Sequence, residues 1–362
     1  MKKKFILAVQ GEGRGHMTQA ITMYDMLIEQ GHTVCAVILG SSGTRDVPEY
    51  FFKKINAPII QLQSPNFVTD KKNKSIRIGK SVAYNLTKLN TFKKSLQAID
   101  ALMKEHQPDV VLNFFDLLIG LYYRFYKPKA KLICVAHQYI YFHPDFEFPE
   151  GRWLDKAAIK FYTRLTARGS SKNLGLSFYN IHTHNDEVVV VPPLLRKELF
   201  HLEPVKDDFY LVYLVNNGYF EEVLQWHKQN PEITLHCFTD QPSKIAENKD
   251  FDASRLFIHP INDTLFLEMM SRARGLASTA GFESVCEAMY LGKPVMMVPI
   301  EGHYEQYCNS RDAFKAGAGI FSENYDLSKL SHFSSTFDGS NPWFKNWVAN
   351  AKHRIYNEII SI

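Results

Sequence analysis

The sequence has few of the features that tie a chain to a membrane, to disulfides or to nucleic acid. No run of about eighteen or more apolar residues occurs, so no transmembrane helix is expected. The five cysteines are scattered and odd in number, which predicts free thiols rather than a disulfide framework or a zinc site. The net charge of +4 is modest and no nucleic-acid-binding module is recognisable, so nucleic acid is not an expected partner.

The first forty residues carry the opening of a doubly wound sheet. Residues 3–10 are a short apolar strand pattern and do not continue as a secretory signal, so a cytoplasmic location is expected. Residues 11–16 form a glycine-rich loop, residues 17–29 have helical periodicity, and residues 33–39 are a second strand pattern. A strand, loop, helix and strand in this order predict an α/β fold with a parallel sheet.

A dinucleotide-binding fingerprint is the obvious competitor for this loop. The third glycine of that fingerprint falls on His16, and the second strand pattern ends at Gly40-Ser41 without the carboxylate that holds an adenine ribose. NAD or FAD is therefore not an expected cofactor, and no other cofactor is indicated.

A second α/β unit begins near Phe209. Residues 191–195, with two consecutive prolines, punctuate the chain before it, and residues 210–215 are a strand pattern followed by the loop Asn216-Asn217-Gly218. We therefore predict a first domain over residues 1–195, a second over residues 206–340, and a terminal helix over residues 341–362 that packs back on the first domain.

Residues 278–306 are the most informative segment. A turn at Ala280-Gly281 opens a predicted helix over residues 282–290, and a buried strand over residues 295–298 leads to a polar loop ending in Glu305-Gln306. A glycine at a helix amino terminus lets backbone amides approach an anion, which the helix dipole also favours. Ser284 adds a hydroxyl, and Glu287 lies on the same helix face, where a carboxylate can hold a ribose diol. These parts suit a nucleoside diphosphate.

This ordered set resembles the donor-binding signature of GT-B glycosyltransferases. Those families include plant and bacterial UDP-glycosyltransferases and the N-acetylglucosamine transferase that forms lipid II. The resemblance rests on Gly281, Ser284, Glu287, Gly292, Pro294, Glu305 and Gln306. It implies that Gly281 and Ser284 hold the diphosphate, Glu287 the ribose, and Glu305 and Gln306 the donor sugar, with His303 beside them. Plant members carry a histidine where this chain has Thr279, so a phosphate contact from that position is weaker or absent.

The resemblance also implies an architecture and a reaction. The fold is expected to be two Rossmann-like doubly wound domains facing a cleft, with Asn217 and Gly218 lending amides to the donor phosphates. The expected activity is transfer of a sugar from a nucleotide diphosphate donor, UDP-linked, to an acceptor hydroxyl with inversion. Leaving-group stabilisation by amides and the helix dipole implies that no metal is needed.

His16 is the candidate catalytic base. It ends a glycine loop above the carboxyl edge of the predicted sheet, where Gly13 and Gly15 let the donor come close. An imidazole with a pKa near neutrality suits the deprotonation of a hydroxyl, and inverting members of the resembled families use a histidine in this loop. Asp116, after the next strand pattern, is the candidate partner that orients His16, and Asn113 is the alternative.

Two features bear on the acceptor. His137, Tyr139 and Tyr141 lie in an aromatic segment after a first-domain strand, where they either stack on an acceptor or cover the domain core. Basic residues cluster between positions 71 and 94 and recur from 152 to 172 with nearly helical spacing. They are either a solvated face or a surface that attracts an anionic membrane. A lipid or a small molecule is the expected acceptor.

Three possible metal patterns are discounted, and two rival functions stay open. The Asp250–Asp252 pair lacks a preceding strand, the histidines of residues 182–186 lack a third ligand, and Glu301 and His303 adjoin the sugar loop. The rival within the same fold is a UDP-sugar 2-epimerase, whose amino-terminal motif is missing here. The rival from another class is a non-catalytic nucleotide-sugar-binding protein.

Overall fold

The computed structural model of this chain describes residues 2–43, 47–65, 85–214, 217–240, 242, 254–339 and 341–362. They form two compact units. The first holds the described residues up to Arg196 and then Asn346–Ile362, and the second holds those of Lys197–Lys345. The Asp250–Asp252 pair and most of the basic cluster between positions 71 and 94 lie outside the described residues. Within the described ranges, no helix is long and apolar enough to cross a membrane.

The first unit is built on a parallel sheet of seven described strands in the order β3-β2-β1-β4-β5-β6-β7. The strands are β1 (Lys4–Gln10), β2 (Thr33–Ser41), β3 (Ile59–Gln63), β4 (Val110–Phe114), β5 (Lys131–Ala136), β6 (Lys172–Leu176) and β7 (Val189–Val191). Strand β1 pairs with β2 on one side and with β4 on the other. The direction in which successive strands are added therefore reverses between β1 and β4.

Helices pack on this sheet because its strands are apolar at consecutive positions, as β1 is from Phe5 to Val9. They are α1 (Arg14–Glu29), α2 (Glu49–Lys54), α3 (Leu89–His106), α4 (Leu117–Tyr126) and α5 (Trp153–Thr166). Ile6 and Ala8 of β1 share one buried cluster with Ile99 of α3 and Leu118 of α4. This two-residue spacing along β1 is what a strand needs to present one face to a helical layer.

The second unit repeats the plan with a parallel sheet of six described strands in the order β10-β9-β8-β11-β12-β13. The strands are β8 (Tyr210–Leu214), β9 (Leu235–Thr239), β10 (Leu256–Pro260), β11 (Leu276–Ser278), β12 (Val295–Met297) and β13 (Gly319–Phe321). The helices are α6 (Phe220–Gln229), α7 (Asp263–Arg272), α8 (Phe282–Tyr290), α9 (Tyr304–Lys315) and α10 (Ser328–Thr336). Here the reversal falls between β8 and β11.

The carboxyl-terminal segment is two helices, where one terminal helix over residues 341–362 was predicted. They are α11 (Pro342–Ala349) and α12 (Ala351–Ile360), separated at Asn350. Asn350 occupies the N-cap position of α12, a place that suits asparagine better than a helix interior does. Within the first unit, Trp347 Nε1 donates to the carbonyl of Ser177 at 3.0 Å, and Lys172 pairs with Glu358 at 2.8 Å.

Candidate functional site

The sheet of each unit marks one position for a ligand. In an open α/β sheet, ligands bind beyond the carboxyl ends of the strands where the strand order reverses. In the second unit that position lies between β8 and β11, which pair directly. A short 3-10 helix, Asn217–Tyr219, follows β8, and α8 follows β11. The loops that carry the predicted donor residues Gly218 and Gly281 are therefore neighbours.

The turn before α8 depends on Ala280. This residue has φ of 59°, in the left-handed region, where a non-glycine residue is strained. Its carbonyl accepts a hydrogen bond from Asn309 Nδ2 of α9 at 3.2 Å, which helps hold the turn. Gly281 has an extended conformation and is the N-cap of α8 without a side-chain hydrogen bond to the helix. Because glycine has no side chain, Gly281 leaves room for an anion to approach this helix end.

Ser284 and Thr279 flank this helix end and differ in their contacts. Ser284 Oγ donates to the carbonyl of Gly281 at 3.2 Å and lies 3.5 Å from Ser278 Oγ. Thr279 is fully buried, and its hydroxyl has no hydrogen-bond partner in the part of the chain that the structure describes. Because the protein encloses this hydroxyl, we expect no phosphate contact from Thr279.

Replacement of Thr279 by valine tests that conclusion. A buried hydroxyl without a partner contributes a desolvation penalty, and valine has nearly the same shape. We expect Thr279→Val to leave UDP affinity within about twofold and to raise the free energy of unfolding by up to about 1 kcal/mol. Calorimetric titration and denaturant unfolding measure the two quantities. A large loss of UDP affinity would show that this hydroxyl reaches the donor.

Two acidic residues of α8 are more buried than the sequence suggested. Glu287, the predicted ribose ligand, is 1% exposed, so its carboxylate must turn outward before it can meet a ribose. Glu283 is 7% exposed in the first turn of the same helix. The helix dipole stabilises a negative charge at this position, but the same charge would repel a bound phosphate. Glu283 was not predicted as a site residue, although its position two residues after Gly281 is a signal in the sequence.

The loop after β12 is fixed by its own polar groups. His303 is the N-cap of α9, and its Nδ1 accepts from the Gln306 backbone N–H at 3.4 Å. Gln306 Oε1 accepts from the Ile300 backbone N–H at 2.9 Å, so its carboxamide N–H groups are what it can offer a sugar. Glu305 is half-buried in the first turn of α9. Since β12 pairs with β11, this loop belongs to the same edge of the sheet as the α8 amino terminus.

In the first unit, the reversal between β1 and β4 brings the glycine loop beside Phe115. His16 lies in the first turn of α1, which starts at Arg14 and so includes Gly15, while Gly13 is its N-cap. The His16 ring stacks on Phe115 with ring centroids 5.7 Å apart. Its Nδ1 lies 3.4 Å from Gln19 Oε1, a carbonyl oxygen that only accepts, which leaves Nε2 with the lone pair. Gln19, three residues further along the same helix face, was not predicted as a site residue.

Burial lowers the pKa of His16 to about 4, although the Gln19 hydrogen bond acts in the opposite direction. The imidazole is therefore neutral at physiological pH and able to take a proton. Burial beside Phe115 disfavours the charged imidazolium form more than the hydrogen bond to Gln19 favours it.

Asp116 does not pair with His16. Its carboxylate caps α4 by accepting from the Ile119 backbone N–H at 3.3 Å, and it accepts from Ser64 Oγ at 3.2 Å. A side chain at Gly40 would come within 1.9 Å of Asp116 Oδ2, so the absence of one there makes room for the carboxylate. Burial raises the pKa of Asp116 to about 6. The predicted orienting pair is thus not formed, since the sequence places Asp116 at a helix start that itself needs an acceptor.

Asn113, the alternative partner, also uses its side chain for hydrogen bonds to the backbone. Its Nδ2 donates to the carbonyls of Asp116 and Thr166, and its Oδ1 accepts from the Asp116 backbone N–H. These bonds join β4 to the start of α4 and to the end of α5. Asn113 has no hydrogen bond to His16.

The contacts of Asp116 predict a difference between two variants. Asp116→Ala removes the cap of α4 and should lower the free energy of unfolding by about 1–2 kcal/mol relative to Asp116→Asn, which keeps the acceptor. The raised pKa of Asp116 also predicts how the stability difference between the wild type and Asp116→Asn changes with pH. The stability contributed by the protonated carboxyl is present below its unfolded pKa and is lost as pH rises to about 6, so Asn should gain on the wild type over that range. Urea unfolding at several pH values measures both effects.

The aromatic residues assigned to the acceptor belong to the domain core. His137, Tyr139 and Tyr141 are each 1% exposed or less. His137 Nδ1 bonds to the carbonyl of Leu176 at 2.7 Å, and the Tyr139 hydroxyl donates to Thr166 Oγ1 at 3.1 Å. The structure therefore favours the core interpretation for these side chains, because the short 3-10 helix that carries them turns them inward. Separately, within the described ranges no three His, Cys, Asp or Glu residues are grouped closely enough to hold a metal.

Comparison with known proteins identifies the family to which this chain belongs. A family model described as glycosyl transferase family 1 matches residues 3–337. The chain belongs to that family. This glycosyltransferase is also similar in fold to solved structures at low sequence identity. No curated protein sequence matches it.

Three of these structures span nearly the whole chain. The calicheamicin glycosyltransferase CalG4 has a TM-score of 0.62 at 12% identity, with 100% of this chain and 98% of that chain covered. MurG of Acinetobacter baumannii has a TM-score of 0.57 at 14% identity, with 99% and 100% covered. UGT89C1 of Arabidopsis thaliana complexed with UDP-L-rhamnose has a TM-score of 0.64 at 13% identity, with 100% and 99% covered. The predicted GT-B fold of two Rossmann-like domains is confirmed for this glycosyltransferase.

Proposed function

We propose that this glycosyltransferase takes its sugar from a nucleoside diphosphate donor, UDP-linked, and transfers it to an acceptor hydroxyl with inversion. The observation that carries the proposal is the start of α8, where Gly281 places no side chain and where the strand order of the second unit reverses. Such a helix end favours a diphosphate through its amides and its dipole. The UDP-sugar bound in a neighbour of the same fold supports the choice of nucleotide.

The diphosphate and the sugar of the donor are assigned to residues of the second unit, and the ribose to Glu287 once its carboxylate turns outward. The amides that follow Gly281, with the hydroxyl of Ser284, hold the diphosphate, and the loop at Gly218 adds backbone amides. The carboxamide of Gln306, together with Glu305 and His303, faces the sugar hydroxyls. Hydrogen-bond donors that a folded turn holds in place stabilise the negative charge that develops on the departing diphosphate. In the proposed reaction these groups stabilise the leaving group without a metal ion.

His16 acts as the base in the proposed reaction. Nε2 takes the proton of the acceptor hydroxyl, and the oxygen attacks the anomeric carbon as the bond to the diphosphate breaks. Attack from the face opposite the leaving group inverts the configuration. Gln19 holds the proton on Nδ1, and Phe115 limits the ring's rotation by stacking.

The low pKa of His16 predicts the acid limb of the rate profile. The free enzyme should keep a constant kcat/KM as pH falls from 8 toward 5 and lose it near pH 4, where His16 gains a proton. The free energy of unfolding should also fall as the pH is lowered from about 6.5 to 4, because over this range only the unfolded chain binds a proton at His16. Initial rates are measured with fluorescence as a check on folding. An acid limb near 6.5 in folded protein would contradict the assignment.

The reaction itself is tested with α-linked UDP-sugars and proton NMR. Slow hydrolysis of UDP-glucose, UDP-galactose or UDP-N-acetylglucosamine should release UDP and the β-anomer of the sugar. Release of the α-anomer would indicate retention. Conversion at C2 without stable sugar transfer would favour the epimerase, and binding without any turnover would favour a non-catalytic nucleotide-sugar-binding protein.

A further inference from the structure

A cavity of about 610 Å³ lies in the first unit along α5. One wall is aromatic, with Phe142, Phe146 and Phe148, and the other is basic, with Lys156, Lys160 and Arg164 of α5. The cations are four residues apart, so they share one side of the helix. None of these six residues belongs to the site proposed for sugar transfer.

The aromatic wall is preorganised. The rings of Phe146 and Phe148 meet edge to face with centroids 4.8 Å apart, and Tyr141 packs against both. Lys156 Nζ lies 4.6 Å from the centre of the Phe148 ring, and Lys160 Nζ lies 5.6 Å from it. Two ammonium groups are thus held beside one ring by cation–π contact.

The two lysines form no ion pair in the part of the chain that the structure describes. In the described part of the chain, neither has a carboxylate within 4 Å, and Arg164 alone of the three meets one, Glu187 at 3.9 Å. Asp186 also lines the cavity but is bonded to His184. Burial, followed by the charges of Arg164 and Lys156, lowers the pKa of Lys160, and the charge of Glu187 acts in the opposite direction. Neighbouring like charges of this kind are relieved when an anion binds between them.

The outer surface of α5 adds an apolar element. Trp153, Leu154 and Phe161 are 72%, 63% and 65% exposed, an unusual concentration of large apolar side chains on one helix. Exposed apolar groups beside cations suit a molecule with both a charged and an apolar part.

We propose that this cavity binds a phosphate-bearing amphiphile. Lys156 and Lys160 hold the phosphate, and the rings of Phe146 and Phe148 take the adjoining apolar group. A planar ring or alkyl chain fits the aromatic wall, whereas a bare anion leaves it unused. The phosphate belongs either to a soluble phosphorylated molecule or to a lipid headgroup, which present the same chemistry to the lysines.

Binding of phenyl phosphate to the whole chain, measured by calorimetry, tests the proposal. We expect saturable binding that Lys156→Gln/Lys160→Gln/Arg164→Gln weakens by about tenfold or more, the loss of at least one charged hydrogen bond. The matched control Lys127→Gln/Lys129→Gln/Lys131→Gln removes the same charge from exposed lysines that do not line the cavity and should leave affinity within about twofold. Benzyl alcohol, a neutral analogue, should bind more weakly to the wild type.

Flotation with vesicles separates the two sources of phosphate. Phosphatidylcholine vesicles that contain phosphatidylglycerol should capture the wild type if the ligand is a lipid headgroup. In that case both the cavity triple variant and Trp153→Ser/Phe161→Ser should lose capture. Binding of phenyl phosphate without capture identifies a soluble ligand. Absence of both, or equal weakening by the cavity and control variants, would overturn the proposal. No arm depends on sugar transfer, so the result is independent of the proposed activity.

Discussion

His16→Ala is expected to lower turnover by about 10²–10⁴-fold, the usual effect of removing a general base. UDP affinity should stay unchanged, because the residues proposed to hold UDP belong to the second unit and His16 belongs to the first. The measurement pairs kcat from UDP release with the dissociation constant of UDP. A loss of turnover without a loss of binding is characteristic of a group that acts on the reacting atoms.

His16→Gln is the matched control for volume and polarity. Glutamine fills much of the space beside Phe115 and keeps a hydrogen-bonding group near Gln19, but it cannot accept a proton at neutral pH. It should be as inactive as alanine and nearer to the wild type in thermal unfolding. Activity within about fivefold of the wild type in either folded variant would remove His16 from the mechanism.

Gly281→Asp is expected to stabilise the protein while nearly abolishing donor binding. Gly281 has the extended conformation of an N-cap, and a side chain there would meet only Ser284 Oγ at 3.7 Å. Aspartate should therefore cap α8 and raise the free energy of unfolding by a few tenths of a kcal/mol or more. Its carboxylate takes the place proposed for the diphosphate. Juxtaposed like charges cost several kcal/mol, so we expect UDP affinity to fall by about 100-fold or more.

Gly281→Asn separates charge from capping. Asparagine caps a helix about as well as aspartate but carries no charge, so it should stabilise α8 and lose less UDP affinity. Titration calorimetry measures the UDP affinity of each variant, and thermal unfolding measures its stability. The direction of change is predicted for all four values. If Gly281→Asp bound UDP as the wild type does, the start of α8 would not be the phosphate site.

Much of the fold follows from local pattern. The predicted helix over residues 282–290 and the observed α8 have the same bounds, because a turn precedes it and Gly292 and Pro294 end it. The glycine loop before α1 and the strands around it were equally predictable from the sequence. The break at Asn350 was not, since the apolar periodicity of α11 and α12 continues across it.

The site was predictable only where chain neighbours define it. Gly281 and Ser284 lie in one turn, and the sequence was sufficient to place them together. The hydrogen bond from Asn309 to the carbonyl of Ala280 joins residues 29 positions apart and has no local signal. The partners of Asp116 likewise depend on packing, because Ser64 and Gly40 lie on other parts of the sheet edge.

The aromatic segment shows how burial decides between two interpretations. Tyr139 and Tyr141 alternate with apolar residues in a way that suits either a ligand wall or a core. The structure turns both inward, and the rings left at the surface of that region are the half-buried Phe142 and Phe148. Pattern alone does not give the direction of a side chain in a short 3-10 helix.

Titration of the wild-type protein with UDP by calorimetry, beside GDP, ADP and NAD, tests the central claim most directly. The account predicts saturable binding of UDP to one site that a chelator such as EDTA does not abolish, with weaker or no binding of NAD. Binding of NAD alone, or of none of the four, would contradict a nucleoside diphosphate site at the start of α8.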